Sequence, residues 1–133
     1  MNILVDAMGG DNAPKAIVTG CLDAISRKES FDITLFGDDK IIADILCKHN
    51  YDKSRIKVEH CSETILFTDT PTEAVKNKKD SSMIRALAMM RDGFGDAVIS
   101  AGNSGALLTG SLLITGRMDK VIRPALGALI PSG

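Results

Sequence analysis

Apolar residues fall into short continuous runs separated by longer amphipathic stretches. Asn2–Asp6 (NILVD) is a run of the first kind and leads into Gly9-Gly10. This predicts a buried strand followed by a tight turn. Pro14 then stands where a helix's first turn belongs, with Asn12 ahead of it as a cap. Ala16, Ile17, Gly20, Cys21, Ala24 and Ile25 keep helical spacing. Asp32–Phe36 (DITLF) reads as a second strand closed by Gly37-Asp38-Asp39. Ile41, Ile42, Ile45 and Leu46 form the apolar face of a second helix, and Arg55–His60 gives a third strand. The β-α-β-α-β rhythm predicts an α/β fold: a mostly parallel sheet with right-handed crossovers and helices on both faces.

From Cys61 to Asp80 the texture turns polar. Thr70-Pro71-Thr72-Glu73 has capping-box spacing with Pro at the first helical position. Lys76, Lys78 and Lys79 follow and read as a solvated run. Ser81 and Ser82 open a helix with Met83, Ile84, Leu87, Ala88 and Met90 on its apolar side, stopped by Gly93. Asp96–Ser100 (DAVIS) is a strand. Ala101-Gly102-Asn103-Ser104-Gly105 turns into an apolar helix that stops near Gly116. Ala125–Ile130 is predicted as one more strand, followed only by Pro131-Ser132-Gly133. A parallel layer normally has a covering helix after such a strand. Residues 1–133 are therefore read as a single α/β domain that is incomplete, with no internal repeat or linker.

Composition narrows the function. With 133 residues, 44% hydrophobic and 25% charged, the chain is globular and large enough to build a core without disulfides. Its net charge of -1 creates no global attraction for nucleic acid or anionic membrane. Four Phe and one Tyr are too few for a base-stacking platform, so nucleic acid is not expected as a partner. Cys21, Cys47 and Cys61 are odd in number and widely spaced, which points to a reducing, cytoplasmic compartment. The N-terminus lacks the basic start of a signal peptide. The longest apolar stretch, Ala106 to Ile114, is broken by Thr109, Gly110 and Ser111 and is too short to span a bilayer.

Ligands of open parallel sheets bind where strands end and helices begin. Two loops of that kind stand out. In Asp6-Ala7-Met8-Gly9-Gly10-Asp11-Asn12, Gly9 and Gly10 allow close backbone approach, while Asp6 and Asp11 flank the turn with carboxylates. The loop reads as an orienting or metal-binding acidic loop, or as an ordinary turn with an Asx cap. In Ser100-Ala101-Gly102-Asn103-Ser104-Gly105, backbone N–H groups and a helix start can converge on an anion, beside the side chains of Ser100, Asn103 and Ser104. This loop suits a phosphate, and it equally fits a plain turn. It is neither a Walker A loop nor a GxGxxG fingerprint. Magnesium is left open, because Asp6 and Asp11 offer oxygen ligands but nothing in their spacing requires a metal or other cofactor.

Other candidates carry less. His60 and Cys61 are adjacent, so on a continuing strand their side chains face opposite ways and form no Cys–His pair. His49 lies among polar residues at a helix end. Met83, Met89 and Met90 fit helix packing. Arg117 and Arg123 bracket the last connection and read either as solvated charges or as anion contacts.

DAMGGDNAPKAI, EAVKNKKDSSM, SAGNSGALLTG and GRMDKVIRPAL, in this order and spacing, resemble the bacterial phosphate acyltransferase family of phospholipid synthesis, the PlsX family. The resemblance covers essentially all 133 residues, and the family's members are considerably longer, so it matches their N-terminal part. It implies a fold similar to phosphotransacetylase and the isocitrate/isopropylmalate dehydrogenases. The implied reaction moves a long-chain fatty acyl group from acyl carrier protein to inorganic phosphate. The acyl phosphate would then serve a membrane glycerol-3-phosphate acyltransferase. A homodimer, cytoplasmic with peripheral attachment at the inner membrane face, is likewise implied. Phosphate is itself the nucleophile, so the reaction needs no Ser-His or Cys-His pair. On this reading Asn103, Ser104 and Asp6 are the catalytic candidates. Gly9, Gly10, Asp11, Ser100, Gly102 and Gly105 shape the phosphate site, with Lys79, Arg117 and Arg123 as further contacts to phosphate or to the carrier's acidic surface. Phosphotransacetylase-like transfer from coenzyme A thioesters is the alternative from the same fold group. An inactive fragment that only binds phosphate or a partner is the non-enzymatic one.

Overall fold

The computed structural model describes residues 1–27 and 30–127. Its strands are β1 (Asn2–Asp6), β2 (Asp32–Gly37), β3 (Ile56–His60) and β4 (Ala97–Ile99). They form one parallel sheet in the order β3-β2-β1-β4, with Ile3 opposite both Ile33 and Ala97. The helices are α1 (Lys15–Ser26), α2 (Asp39–Leu46), α3 (Pro71–Asn77), α4 (Ser82–Arg91) and α5 (Ser104–Gly110), which runs on into a π-helical turn, Ser111–Thr115. Helices cover both faces of the sheet, as the alternating pattern predicts.

The period-two alternation of the strands sorts the core into layers. Val5, Ile33 and Leu35 meet Val18, Leu22 and Ile25 of α1 and Ile42 and Leu46 of α2. Burying each of these side chains is worth roughly 1.5–3 kcal/mol. Leu4 and Phe36 point to the other face, against Ala86 of α4 and Cys61. A third cluster joins α3, α4 and α5 through Val75, Met83, Leu87 and Ala106. Met83 is fully buried, and Met89 and Met90 pack against the Leu4–Phe36 layer, so these methionines serve packing.

Local differences from the sequence reading have simple causes. Asn12 does not cap α1 with its side chain; its carbonyl accepts from Ala16 N at 3.0 Å, and Pro14 itself is the N-cap residue. Asp38 caps α2, accepting from Lys40 N at 3.0 Å and Ile41 N at 3.2 Å. The capping-box spacing at Thr70–Glu73 makes no side-chain cap, and Glu73 accepts from Asn77 Nδ2 instead. β4 is shorter than Asp96–Ser100, and the side chains at both ends of that stretch bond to β1. Asp96 Oδ2 accepts from Asn2 N at 2.6 Å, and Ser100 turns to Asp6. Of the strand expected over Ala125–Ile130, Ala125–Gly127 lie in no helix or strand, and 128–130 lie outside the described residues. Among the described residues no helix is long and apolar enough to cross a membrane.

Candidate functional site

The chain leaves β1 toward β2 on one side, yet β4 pairs with β1 on the other. The sheet's topological switch point therefore lies between β1 and β4, where ligand crevices form at the C-terminal ends of the strands. The loops that follow these two strands are the glycine loops singled out in the sequence.

They touch backbone to backbone. A Cβ on Gly9 would stand 2.9 Å from Gly102 N and 2.5 Å from Asp6 Oδ2. A Cβ on Gly102 would stand 3.2 Å from Gly9 Cα. Gly10, at φ +117°, turns the first loop across Ala101. Only glycine fits this approach. Gly105 does the same on the outer side, where a Cβ would meet Pro71 Cγ at 2.8 Å.

Beneath Gly9 lies the Asp6 carboxylate, only 2% exposed. Oδ1 accepts from Ser82 Oγ at 2.5 Å and Met8 N at 3.2 Å, and Oδ2 accepts from Ser100 Oγ at 2.7 Å. Ser100 Oγ in turn accepts from Gly102 N at 3.1 Å. Asp6 thus braces three elements from below the loops. Asp11 is exposed on the outside of the first loop, so the two carboxylates do not form a pair. Among the described residues no group of three His, Cys, Asp or Glu side chains could hold a metal ion.

Asn103 is 8% exposed and is the N-cap of α5. Its Oδ1 accepts from Ala106 N at 3.0 Å, and Nδ2 donates to the carbonyls of Leu66 and Asp69, each at 3.2 Å. The carboxamide ties α5 to the loop between β3 and α3. Gly102 and Ala106 spend their N–H groups inside the site. Those of Ser104 and Gly105, in the first turn of α5, have no partner among the described residues. The Ser104 hydroxyl is exposed beside them.

Of the lysine run, Lys76 and Lys79 are exposed as expected and Lys78 is the exception. Lys78 is not solvated: its Nζ donates to Thr64 O at 2.9 Å and to Asp69 Oδ2 at 2.5 Å. That hydrogen bond, together with the Leu66 N–H, holds the Asp69 carboxyl below the usual carboxylate range. Lys79, just past the end of α3, donates from its Nζ to Val75 O of that helix at 3.1 Å. Arg117 Nη1 donates to Ile122 O at 2.8 Å, and Arg123 is exposed on the same segment. Neither arginine bonds to either glycine loop. His60 is exposed and pairs with Asp39 at 2.8 Å, while Cys61 is buried, so the two do face apart.

Sequence reasoning missed Ser82 and the Leu66 and Asp69 carbonyls. For Ser82 a signal existed: one serine is enough to cap a helix, and Ser81-Ser82 supplies two.

The family model described as "Fatty acid synthesis protein" matches residues 1–133. The chain belongs to this family. Its relatives include a phosphate acyltransferase of Acetivibrio thermocellus, 57% identical over 132 residues. Those of Bacillus licheniformis and Listeria innocua are 48% and 46% identical. Each alignment covers 99% of this chain, and the chain spans only 38–39% of those relatives' length. The family membership bears out the resemblance read from the motifs.

Proposed function

We propose that these residues supply part of the active site of an acyltransferase acting on inorganic phosphate, with long-chain acyl carrier protein as donor and acyl phosphate as product. The observation that carries the reading is the meeting of the two glycine loops at Gly9 and Gly102, at the switch point of the sheet. The names of the relatives support the phosphate acceptor.

A phosphate oxygen attacks the thioester carbonyl; the C–O bond forms and the C–S bond breaks. The thiolate leaves with its electron pair, and a thiol pKa of about 8.5 makes that departure easy without a general acid. The site must therefore orient phosphate and balance charge on the carbonyl oxygen. The Ser104 hydroxyl and the N–H groups of Ser104 and Gly105 are the donors best placed for this. Asn103 caps the helix that carries these donors and Asp6 braces Ser100 and, through it, Gly102, so both are proposed here as positioning residues in place of the catalytic contacts expected for them. Asp11, Lys79, Arg117 and Arg123 are proposed for the rim, where the three cations suit an acidic carrier surface. A homodimer and a membrane glycerol-3-phosphate acyltransferase as consumer of the product, on the cytoplasmic side of the membrane, belong to the same proposal.

The test incubates the protein with palmitoyl-acyl carrier protein and phosphate, and traps acyl phosphate as its hydroxamate against a phosphate-free control. Phosphate-dependent product is expected, with kcat/KM for phosphate reduced about tenfold or more in Ser104→Ala, as for loss of one anion-stabilising donor. An unchanged value in that variant removes the Ser104 hydroxyl from the cradle. Faster turnover of palmitoyl-coenzyme A than of the carrier thioester would favour phosphotransacetylase-like chemistry.

A further inference from the structure

We propose that Ser82 is a positioning residue for this site, acting through Asp6 on the spacing of the two glycine loops. The inference rests on the reading of the site just given. Ser82 is 1% exposed and opens α4, and its sequence distance from Asp6 is 76 residues. Its hydroxyl is not needed to start the helix. Ser81 holds the N-cap position, and neither serine makes a side-chain cap. Ser81 Oγ donates to Lys78 O at 2.8 Å, whereas Ser82 Oγ donates to Asp6 Oδ1.

The proton count fixes the direction of the chain of bonds. A carboxylate only accepts, so Ser82 and Ser100 each spend their single hydroxyl proton on Asp6. Ser100 then has lone pairs left, and one takes the Gly102 N–H. Gly9 lies on the same carboxylate, 2.5 Å from Oδ2 at its would-be Cβ. Ser82 holds one oxygen, so the other stays aimed at Ser100, and through Ser100 at Gly102. Without that hydroxyl only the longer bond from Met8 N, at 3.2 Å, restrains Oδ1; the carboxylate can then rotate, and Gly9 and Gly102 lose their common support. The start of α4 is itself fixed from outside: Asp80 Oδ2 accepts from Ser62 N at 2.9 Å and Ser62 Oγ at 2.6 Å, and Asp80 Oδ1 from Arg85 Nη1 at 2.9 Å. Ser82 therefore transmits the position of a pinned helix end to the site.

A buried Ser–Asp bond that only stabilised the fold would alter the melting temperature and little else. Ser81→Ala is the matched control, since Ser81 is equally buried at the same helix end but its hydroxyl does not touch Asp6. Three quantities are compared: Tm, amide exchange at Met8 and Gly102, and phosphate KM against kcat. Ser82→Ala is expected to speed exchange at both amides and raise phosphate KM by about tenfold, the size of a lost hydrogen bond to a charged group. Ser81→Ala should leave both near wild type. Equal changes in the two variants overturn the inference. If Ser82→Ala does not fold, Ser82→Cys carries the test with its weak S–H donor; wild-type exchange and KM in that variant also overturn it. A wild-type protein that forms no acyl phosphate removes the functional reading alone. Exchange at Gly102, with phosphate affinity from 31P line broadening, then still decides the role of Ser82.

Discussion

Cys21 lies on the buried face of α1 and Cys61 in the layer beneath α4, and burial pushes each thiol up from 9.0 to about 11. Between those values the folded chain keeps protons that the unfolded chain releases. Their contribution to stability is therefore complete below pH 9.0 and is lost as pH rises through about 11. The urea midpoint should fall across that window, and less so in a Cys21→Ala, Cys61→Ala double variant; parallel curves for the two proteins would contradict the assignment. The number and spacing of the cysteines pointed to a reducing compartment, but not to the burial of these two thiols. Gly9 is a similar case. Its place in a tight turn was legible, while the carboxylate and the second loop pressing on it come from residues remote in the chain.

At the level of elements, the stretch from Lys78 to Ser82 was legible only as charge followed by a helix start. Its bonds run to partners that no local periodicity reveals: Thr64, Asp69, Ser62 and Asp6. It fastens the loop from Cys61 to Thr70 against α4, and Asn103 fastens the same loop to α5. Lys78→Met should release Asp69, whose Oδ2 also accepts from Leu66 N at 2.8 Å. Faster amide exchange at Leu66, with β1 and β2 unchanged, is the expected result. Unaltered exchange at Leu66 would show that the loop holds without the lysine. The helices and strands were legible because their apolar spacing is local. The site was legible only as two glycine loops, since what brings them together is pairing across the sheet.

For the whole molecule, the alternating rhythm predicted a parallel sheet but not its strand order. That order makes β1 the partner of both its near neighbour β2 and the distant β4. Among the described residues β4 is an edge strand, with Ile99 exposed, and Leu113, Met118, Ile122 and Leu126 are exposed further along the chain. These apolar surfaces belong to a chain that spans two-fifths of its relatives' length.

The strand order also sets a sequence of events in time. Thr34 and Asn2, which link β2 to β1, are 32 positions apart, whereas Asp6 and Ser100 are separated by 94. Closing the longer loop costs roughly 1 kcal/mol more in chain entropy, and distant pairings form late. In pulse-labelled refolding, amides of β2 should gain protection before those of Val98 and Ile99; simultaneous protection would refute this order. On a ribosome the three strands through His60 are made well before β4 begins at Ala97. The contact between Gly9 and Gly102 can then form only after the first three strands have been made and paired, and the site proposed there waits on an edge of the sheet that is synthesised late within these residues.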